Sequence, residues 1–437
     1  MTTSRRQFLA TTAAAAAGSL FLPSCRFGPR LRPPVPDDQP LRLFAIGVGG
    51  RGRDNLEAVA HEQVAIVCDV DERHLAAALK LCPGARAERD FRTVFADPVA
   101  LAQLDGVVIG TPDHTHFLPA LLALRHGLDV YCEKPLTQTV AQARRLRELA
   151  AANGCVTQMG TQIHANANYH RVVEAIRTGA VGAVREVVVF VNGTDWSASA
   201  LPKPAPVPEH LHYDLWLGPS AERPFTADYH PAGWRRYWAF GGGTTADMAC
   251  HYLDLAWWAL ELDAPTSLLA DGPPPHAEGT PKGMRCEYAF PPRGERAAVV
   301  VRWHAGADRP TAALQQRGLE DWRNGVLFLG DDGWLISNYD RYVLGPAARA
   351  AAFVPPAPFV PDSPGHHREW LAACRRRTQP SCHFGYSGPL TEAVLLANVA
   401  YRAAAGRRLT WDAAALRTGD EAADALLDLP ARRGFAG

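Results

Sequence analysis

The feature that most constrains this chain is a glycine-rich loop directly after a short apolar strand. Leu41–Ile46 predicts the strand, and a G-x-G-x-x-G pattern follows it and opens the next helix. Glycines at this spacing let backbone N–H groups approach a pyrophosphate, which then lies at the positive end of the helix. The pattern therefore predicts a dinucleotide-binding α/β unit. Its loop consists of Gly47, Gly49, Gly50, Arg51 and Gly52.

An acidic residue ends the second predicted strand. Val64–Cys68 is followed by Asp69, 22 residues after Gly47. A carboxylate at this place accepts the adenosine ribose hydroxyls and repels a 2′-phosphate, so Asp69 predicts NAD as the cofactor. Arg51 and Arg73 lie nearby in sequence and leave NADP open as the alternative. A tight turn followed by an ordinary strand-end aspartate is the structural alternative.

Two later strands end in polar motifs. Gly106–Ile109 leads to Thr111-Pro112 and His116, and Asp129–Cys132 leads to Glu133-Lys134-Pro135. Open α/β sheets place their ligands at the carboxyl ends of parallel strands. The proline also restricts the backbone of Lys134 to an extended conformation, which limits where its ammonium group can point. We expect these motifs to border the cofactor; their residues are Thr111, Pro112, His116, Glu133 and Lys134.

The second half of the chain has a different pattern. Its apolar or alternating runs, at 184–191, 283–290, 297–304 and 325–337, are interrupted by few helical segments. This favours a mostly antiparallel sheet. We therefore predict an α/β protein with a Rossmann domain, a doubly wound parallel sheet, at 41–160. A second α/β domain with a large, open, mostly antiparallel sheet is predicted at 161–437.

A predicted helix over 244–261 follows three consecutive glycines. Asp247 and His251 are four residues apart and share one face of this helix. A surface pair of little energetic weight is the alternative. His114, His116 and Asp254 add metal-ligand atom types, but no compact ligand motif is present, so no metal is predicted.

These motifs together resemble the glucose–fructose oxidoreductase, inositol dehydrogenase and MocA family. The glycine loop, Thr111-Pro112 with His116, Glu133-Lys134-Pro135, and Asp247-x-x-x-His251 after Gly241–Gly243 carry the resemblance, which spans residues 41–410. It implies sugar or polyol substrates, hydride transfer with tightly bound NAD, and a homodimer or homotetramer assembled through the C-terminal sheet. The rival activity known among relatives is glycoside cleavage by transient oxidation, elimination and re-reduction.

The resemblance also implies roles for individual residues. Lys134, Asp247 and His251 would surround the carbon that exchanges hydride. His251, with a pKa expected near neutrality, would be the general base, and Asp247 would orient the substrate or the histidine. Lys134 would stabilise the developing alkoxide charge. Further candidates for substrate contacts are Gln162, Trp234 and Arg235.

The N-terminus reads as a twin-arginine export signal. Arg5-Arg6 precedes the uncharged run Phe8–Leu22, and Leu22–Cys25 is a loose lipobox. Residues 26–40 contain five prolines and predict a stiff tether. We expect a periplasmic or envelope protein, with or without a lipid on Cys25. Free NAD is scarce outside the cytoplasm, which favours a cofactor that stays bound while two substrates react in turn.

Charge and cysteine content narrow the remaining choices. Acidic and basic residues are balanced at 45 each, so nucleic acid is not an expected partner. The membrane is expected to be contacted only through the signal peptide or the lipid. Nine cysteines do not form a recognisable disulfide framework. Cys374 and Cys382 are the one pair close enough in sequence to suggest a bridge.

Overall fold

The computed structural model describes residues 32–437. The twin-arginine motif, the uncharged run after it and the lipobox with Cys25 lie outside the described residues. Within residues 32–437, none of the helices has both the length and the apolar character required to cross a membrane.

The first half contains a six-stranded parallel sheet with the order β3-β2-β1-β4-β5-β6. The strand order reverses between β1 and β4, so the loops after these strands open a crevice at the carboxyl edge of the sheet. Both polar motifs and the glycine loop lie at this edge. The strands are β1 Arg42–Ile46, β2 Gln63–Cys68, β3 Arg86–Glu88, β4 Gly106–Ile109, β5 Asp129–Glu133 and β6 Thr157–Gly160.

Helices cover both faces of this sheet, as its continuous apolar strands require. Strands β4 and β5 are buried along their whole length. The helices of this half are α1 Arg51–Val59, α2 Glu72–Leu81, α3 Phe91–Phe95, α4 Pro98–Ala102, α5 Phe117–Arg125 and α6 Val140–Asn153, with 3-10 turns at Asp113–Thr115 and Gln162–Ala165.

The second half contains an eight-stranded mixed sheet with the order β13-β12-β11-β7-β10-β9-β8-β14. Within this sheet, as far as residues 32–437 show it, the β7–β10 pairing is parallel and the other pairings are antiparallel. The predicted fold class, a Rossmann domain followed by a mostly antiparallel open sheet, is confirmed. The strands are β7 Val184–Val191, β8 Ser267–Asp271, β9 Gly283–Phe290, β10 Val299–Gly306, β11 Asn324–Gly330, β12 Trp334–Ser337, β13 Tyr342–Gly345 and β14 Arg408–Thr410.

One face of this sheet packs against helices, and the other carries both an apolar cluster around Phe190 and Leu327 and a set of charged side chains. Along β10, Val301 and Trp303 are buried, whereas Arg302 between them points outward and pairs with Glu186 and Glu287. Assembly through this sheet stays a prediction. The helices of this half are α7 Ala167–Arg177, α8 Tyr213–Leu217, α9 Gly243–Ala259, α10 Thr311–Gln315, α11 Ala347–Ala352, α12 His366–Arg376, α13 Phe384–Ala404 and α14 Glu421–Asp424, with a 3-10 turn at Gly233–Arg236.

The C-terminal part of the chain returns to the nucleotide-binding half. On α12, Trp370 and Leu371 are buried in one apolar cluster with Leu41 and Leu43 of the first strand region. Helix α12 therefore comes after the predicted boundary at residue 160 in sequence, but in space it packs with the nucleotide-binding half.

The suggested bridge between Cys374 and Cys382 is wrong. All eight cysteines among residues 32–437 are free and buried. Cys374 packs with the core of the nucleotide half, and Cys382 packs in the larger core cluster with Phe384. Both thiols are surrounded by apolar side chains, and burial raises the pKa of each well above its ordinary value.

Candidate functional site

A cleft of about 640 Å³ lies between the two halves of the molecule. It runs from the glycine loop at one end to the face of α9 at the other. We call the first the adenosine end and the second the reacting end. Residues named from the sequence that line it are Gly47, Gly49, Gly50, Arg51, Asp69, Thr111, Pro112, His116, Glu133, Lys134, Trp234, Arg235, Asp247 and His251.

The glycine loop needs its glycines for close backbone contacts. Gly47 has φ +74°, and a Cβ there would lie 2.6 Å from the backbone nitrogen of Thr111. A Cβ on Gly52 would lie 1.8 Å from the carbonyl oxygen of Gly47. Gly52 is therefore buried beneath the loop and does not line the cleft. The tight loop leaves the N-terminus of α1 open toward the cleft, as a pyrophosphate site requires.

Asp69 lies at the adenosine end and is fixed by backbone donors. Its Oδ2 accepts from the N–H of Val48 at 2.9 Å and its Oδ1 accepts from the N–H of Asp71 at 2.8 Å. Its Oδ1 keeps a further lone pair for a ribose hydroxyl. Arg51 instead pairs with exposed Asp54. The site fits the dinucleotide that the sequence predicts.

His74, which no sequence motif marks, also lines the adenosine end. Its ring covers Gly49, where a Cβ would come within 2.3 Å of ring atoms. Its Nδ1 lies 3.4 Å from Oδ2 of Asp69, and this contact raises the pKa of His74. The distance of His74 along the sequence from the end of β2 does not indicate a role in binding, because any residue in the first turn of α2 could occupy this position.

Residues 208–240, which we call the cap segment, cover the cleft from the second half. Its apolar core includes Trp216, Tyr229 and Phe240. It is joined to the nucleotide half by two backbone bonds, from Glu72 N–H to the carbonyl of residue 210 and from residue 212 N–H to the carbonyl of residue 70, each 2.9 Å. His230 adds a contact of 3.0 Å between its Nε2 and Oδ2 of Asp71. The cap segment therefore encloses the cofactor side of the cleft.

The ends of β4 and β5 are braced by His116. Its two ring nitrogens each lie 2.8 Å from a carbonyl oxygen, one of Thr111 and one of Pro135. Glu133 is also held, because Asn55 and Gln162 donate to its Oε1 at 3.0 and 2.7 Å. Gln162 thus holds Glu133 by a hydrogen bond and does not line the cleft, so the structure does not support it as a substrate contact.

Lys134 and Asp247 form a buried pair at the reacting end. Lys134 Nζ donates to Oδ1 of Asp247 at 2.5 Å and to its carbonyl oxygen at 2.7 Å. Trp196 Nε1 donates to Oδ2 at 2.7 Å, and Arg235 Nε approaches Oδ1 at 3.4 Å. Burial acts to raise the pKa of Asp247, but the charges of Lys134 and Arg235 hold it below its usual range. Asp247 therefore orients these two cations.

His251 lines the same space, and its buried Nδ1 has no hydrogen-bond partner. Burial and the nearby charge of Lys134 lower the pKa of His251 to about 3. The near-neutral value expected from the sequence is therefore wrong. Asp247 does not orient the histidine either, because both of its oxygens are occupied by Lys134, Trp196 and Arg235. His251 is a neutral hydrogen-bond acceptor at physiological pH.

Trp234 and Arg235 lie where the cap segment meets the reacting end. The guanidinium carbon of Arg235 is 4.2 Å from the ring centre of Trp234 and 5.3 Å from that of Trp196. This arrangement holds a cation against two indole faces. Both named candidates line the cleft, and Trp196 is a further residue that the sequence analysis missed.

Asp113 is the third missed residue. It begins the 3-10 turn after Thr111-Pro112, lines the cleft and is 6% exposed. Burial raises the pKa of Asp113 to about 7, although Arg235 and Lys134 oppose the shift. The Thr-Pro motif marks this position in the sequence, but it does not reveal that the carboxyl group is buried.

The side chains weighed as metal ligands do not converge. Nε2 of His114 lies 2.9 Å from the carbonyl of Trp216, whereas Asp254 is bonded to His164. Among residues 32–437, one other group has metal-ligand atoms close together, Asp71 with His74 and His230. The Asp71 carboxylate already accepts from the guanidinium of Arg73.

Both halves of this chain contain regions that match models of known protein families. Residues 41–161 match the family model described as the NAD-binding Rossmann fold of the GFO/IDH/MocA oxidoreductase family, and residues 166–298 match that of its C-terminal alpha/beta domain. These matches cover more than half of the chain. The chain therefore belongs to the GFO/IDH/MocA oxidoreductase family, and its first half is the family's NAD-binding domain.

Individual curated relatives match a shorter part of the chain than the family models do. Inositol 2-dehydrogenase 2 of Saccharopolyspora erythraea is 32% identical over 150 residues, which are 32% of this chain and 42% of that protein. The matched region thus spans less than half the length of this curated relative.

Two solved structures match along most of the chain. The WlbA dehydrogenase from Bordetella pertussis, in complex with NADH and UDP-GlcNAcA, has a TM-score of 0.60 at 18% identity, covering 86% of this chain and 99% of that one. The aldose-aldose oxidoreductase from Caulobacter crescentus, complexed with glycerol, has a TM-score of 0.56 at 17% identity, covering 85% and 99%. At these identities the likeness establishes the fold.

Proposed function

We propose that this protein is an oxidoreductase that exchanges hydride between retained NAD and a CH–OH group of a sugar or polyol. The observation that carries the proposal is the single cleft that joins the glycine loop and Asp69 to Lys134, Asp247 and His251. A nucleotide site and a set of charged side chains for an alcohol oxygen thus share one space. The names of the inositol dehydrogenase and aldose-aldose oxidoreductase relatives support this substrate class.

The residues at the reacting end have distinct parts in this chemistry. Bound NAD supplies the hydride acceptor, held by the glycine loop and Asp69. An ammonium group has three N–H donors, and two of those of Lys134 are used by Asp247. The third donates to the substrate oxygen and stabilises its charge as the O–H bond breaks. His251, which is neutral and lines the cleft, accepts the hydroxyl hydrogen bond and so orients the substrate.

The cap segment supports a cofactor that stays bound. It closes over the adenosine end and is held there by the bonds to residues 70 and 72 and by His230. With NAD retained, one sugar reduces the cofactor and a second carbonyl compound reoxidises it in the same cleft. This ping-pong cycle needs no external supply of NAD.

The test uses purified holoprotein without added cofactor. It is mixed with D-glucose, D-xylose, myo-inositol and the methyl glycosides of the two sugars while near-ultraviolet absorbance and products are recorded. We expect at least one free sugar or polyol to raise the absorbance of reduced nicotinamide, and a carbonyl compound to reverse it. Cleavage of a methyl glycoside with solvent deuterium entering the product, and without a lasting absorbance change, would instead establish the elimination route.

We also propose export by the twin-arginine route, on the sequence alone. Replacing Arg5 and Arg6 with lysine should leave the precursor in the cytoplasm, as measured by cell fractionation. Normal export of the double-lysine protein would rule this route out. A Cys25→Ala variant that still fractionates with membranes would argue against the lipid anchor.

A further inference from the structure

Four side chains with metal-ligand atoms meet where the cap segment joins the nucleotide-binding half. Two of them, Asp71 at the N-cap of α2 and His74 in the first turn of that helix, belong to the nucleotide-binding half. The other two come from the cap segment, which pairs with this region through a β-bridge between residues 71 and 211. We call the four side chains the histidine cluster, which consists of Asp71, His74, His210 and His230.

The carboxylate of Asp71 lies at the centre of the cluster and has no exposed surface. Its Oδ1 accepts from the backbone N–H and from the Nε of Arg73, at 2.9 and 3.1 Å. Its Oδ2 faces the cap segment, where Nε2 of His230 lies 3.0 Å away and Nε2 of His210 lies 3.8 Å away. The helix cap thus fixes one carboxylate oxygen, and the other is turned toward two imidazole nitrogens.

His74 supplies the third imidazole. The ligand atoms of Asp71, His74 and His230 all lie within 4.8 Å of one another. The Nδ1 of His74 lies 3.4 Å from Oδ2 of Asp69, which leaves its Nε2 as the nitrogen for the cluster. Metal-binding histidines are commonly oriented in this way, by a carboxylate that faces the ring nitrogen away from the ion.

The spacing of these atoms fits a four-coordinate ion after small movements of the side chains. Bonds of about 2.0–2.1 Å in a tetrahedral site place neighbouring ligand atoms about 3.3–3.4 Å apart. The separations of 3.0 and 3.8 Å around Oδ2 of Asp71 lie on either side of this value. Three imidazoles and one carboxylate suit Zn²⁺ and neighbouring transition metals, whereas Mg²⁺ and Ca²⁺ prefer sites made of oxygen atoms.

The guanidinium of Arg73 is the group with which an ion would compete. Its Nη2 donates to Oδ2 of Asp71 at 2.8 Å, but the side chain is 61% exposed and can turn toward solvent. An ion pair of an exposed side chain contributes little to stability, so coordination of a divalent cation can replace this bond. The ion has a path of entry as well, because His74 and His230 line the cleft.

We propose that the histidine cluster binds one transition-metal ion of the Zn²⁺ class, and that this ion fastens the cap segment to the nucleotide-binding half. Each side of the joint supplies two ligands, so the ion holds the two parts together. The cap segment closes over the adenosine end, and a fastened cap segment slows the release of NAD. The metal site itself does not depend on the proposed function, whereas its effect on cofactor retention rests on that function.

Metal binding is tested on purified holoprotein that is stripped with EDTA and then dialysed against Zn²⁺, Co²⁺ or Mg²⁺. Bound metal is counted by inductively coupled plasma mass spectrometry. We expect one Zn²⁺ or Co²⁺ per chain, no Mg²⁺, and the strong visible absorption of four-coordinate Co²⁺. His210→Gln and His230→Gln should bind Zn²⁺ more weakly by a factor of roughly ten or more. His61→Gln, at an exposed histidine outside the cluster, is the control and should match wild type.

Two results of this assay would overturn the proposal. One is that wild type binds no Zn²⁺. The other is that wild type, the control and both cluster variants bind it equally, because the ion would then lie elsewhere in the protein. Neither result depends on a sugar, so a protein that binds Zn²⁺ but oxidises none of the probes would contradict the proposed function alone.

The fastening role is tested by the release of NADH from the holoprotein, followed by its fluorescence with and without Zn²⁺. A ligand that binds only the closed joint stabilises the closed form. Zn²⁺ should therefore slow the release roughly tenfold in wild type and in His61→Gln, and should not change it in His210→Gln or His230→Gln. Release from wild type that is the same with and without Zn²⁺ would overturn the fastening role.

Discussion

The two ends of the cleft are built in different ways. At the adenosine end, backbone groups fix the geometry: two N–H donors hold Asp69, and two backbone hydrogen bonds attach the cap segment. At the reacting end, side chains decide the geometry: Lys134, Trp196 and Arg235, from separate stretches of sequence, all donate hydrogen bonds to Asp247. Substitutions should therefore separate cofactor retention from chemistry.

The largest effect is expected for Lys134→Met, which removes the cation at the reacting end. Hydride transfer should fall roughly a thousandfold, the scale of losing a group that stabilises an oxyanion. Retention of NAD should stay near wild type, because the glycine loop and Asp69 are untouched. Rapid-mixing absorbance measures the first quantity and cofactor content after gel filtration the second. Lys80→Met, a change of an exposed lysine on α2, is the control. Loss of NAD from the Lys134 variant would show that the two ends are not separable.

His251→Ala should have the next largest effect. The substrate hydroxyl loses its acceptor, and misorientation should reduce hydride transfer roughly a hundredfold. Because the pKa of His251 is about 3, wild type has no inflection near neutrality from this group to lose. The pH profile of the variant should therefore keep its wild-type shape at a lower rate. A near-neutral inflection that disappears in His251→Ala would return the role of general base to this histidine.

At the other end, His230→Ala should act on the cofactor alone. It removes the side-chain contact between the cap segment and Asp71, and we expect NAD to dissociate about tenfold faster, equivalent to about 1.4 kcal/mol. Single-turnover hydride transfer in the loaded protein should not change. Release of bound NADH, followed by its fluorescence, provides the rate. His61→Ala, at an exposed histidine, should behave as wild type. A slower chemical step with unchanged release would contradict the assignment of this contact.

The smallest effect is expected for Asp69→Ser. Loss of the carboxylate should weaken NAD binding and reduce the preference over NADP by a fewfold, since the group that accepts the ribose hydroxyls and repels a 2′-phosphate is removed. Competition between the two dinucleotides for the cofactor-free protein measures the ratio. It should shift further toward NADP as pH falls, because protonated His74 attracts a 2′-phosphate. A preference that is the same in variant and wild type would remove Asp69 from ribose recognition.

The same contrast explains what could be predicted from the sequence. The glycine loop, Asp69 and the strand-end motifs follow from local patterns, because backbone geometry within a few residues decides them. Lys134 and Asp247 could be named from the sequence, but their pairing could not be predicted. They are 113 residues apart, and only the tertiary fold brings the residue after β5 next to α9. The low pKa of His251 and the high pKa of Asp113 depend on burial by parts of the chain that are distant in sequence, which no local pattern encodes.

Retention of NAD through both half reactions is tested most directly by following deuterium. Purified holoprotein is mixed with a donor sugar from the panel that carries deuterium on every carbon, an unlabelled carbonyl acceptor and excess unlabelled NAD in solution. Mass spectrometry then locates the label. We predict deuterium in the reduced acceptor and in the cofactor released by denaturation, with none in the free NAD pool. Deuterated NADH accumulating in solution at the rate of turnover would contradict a retained cofactor.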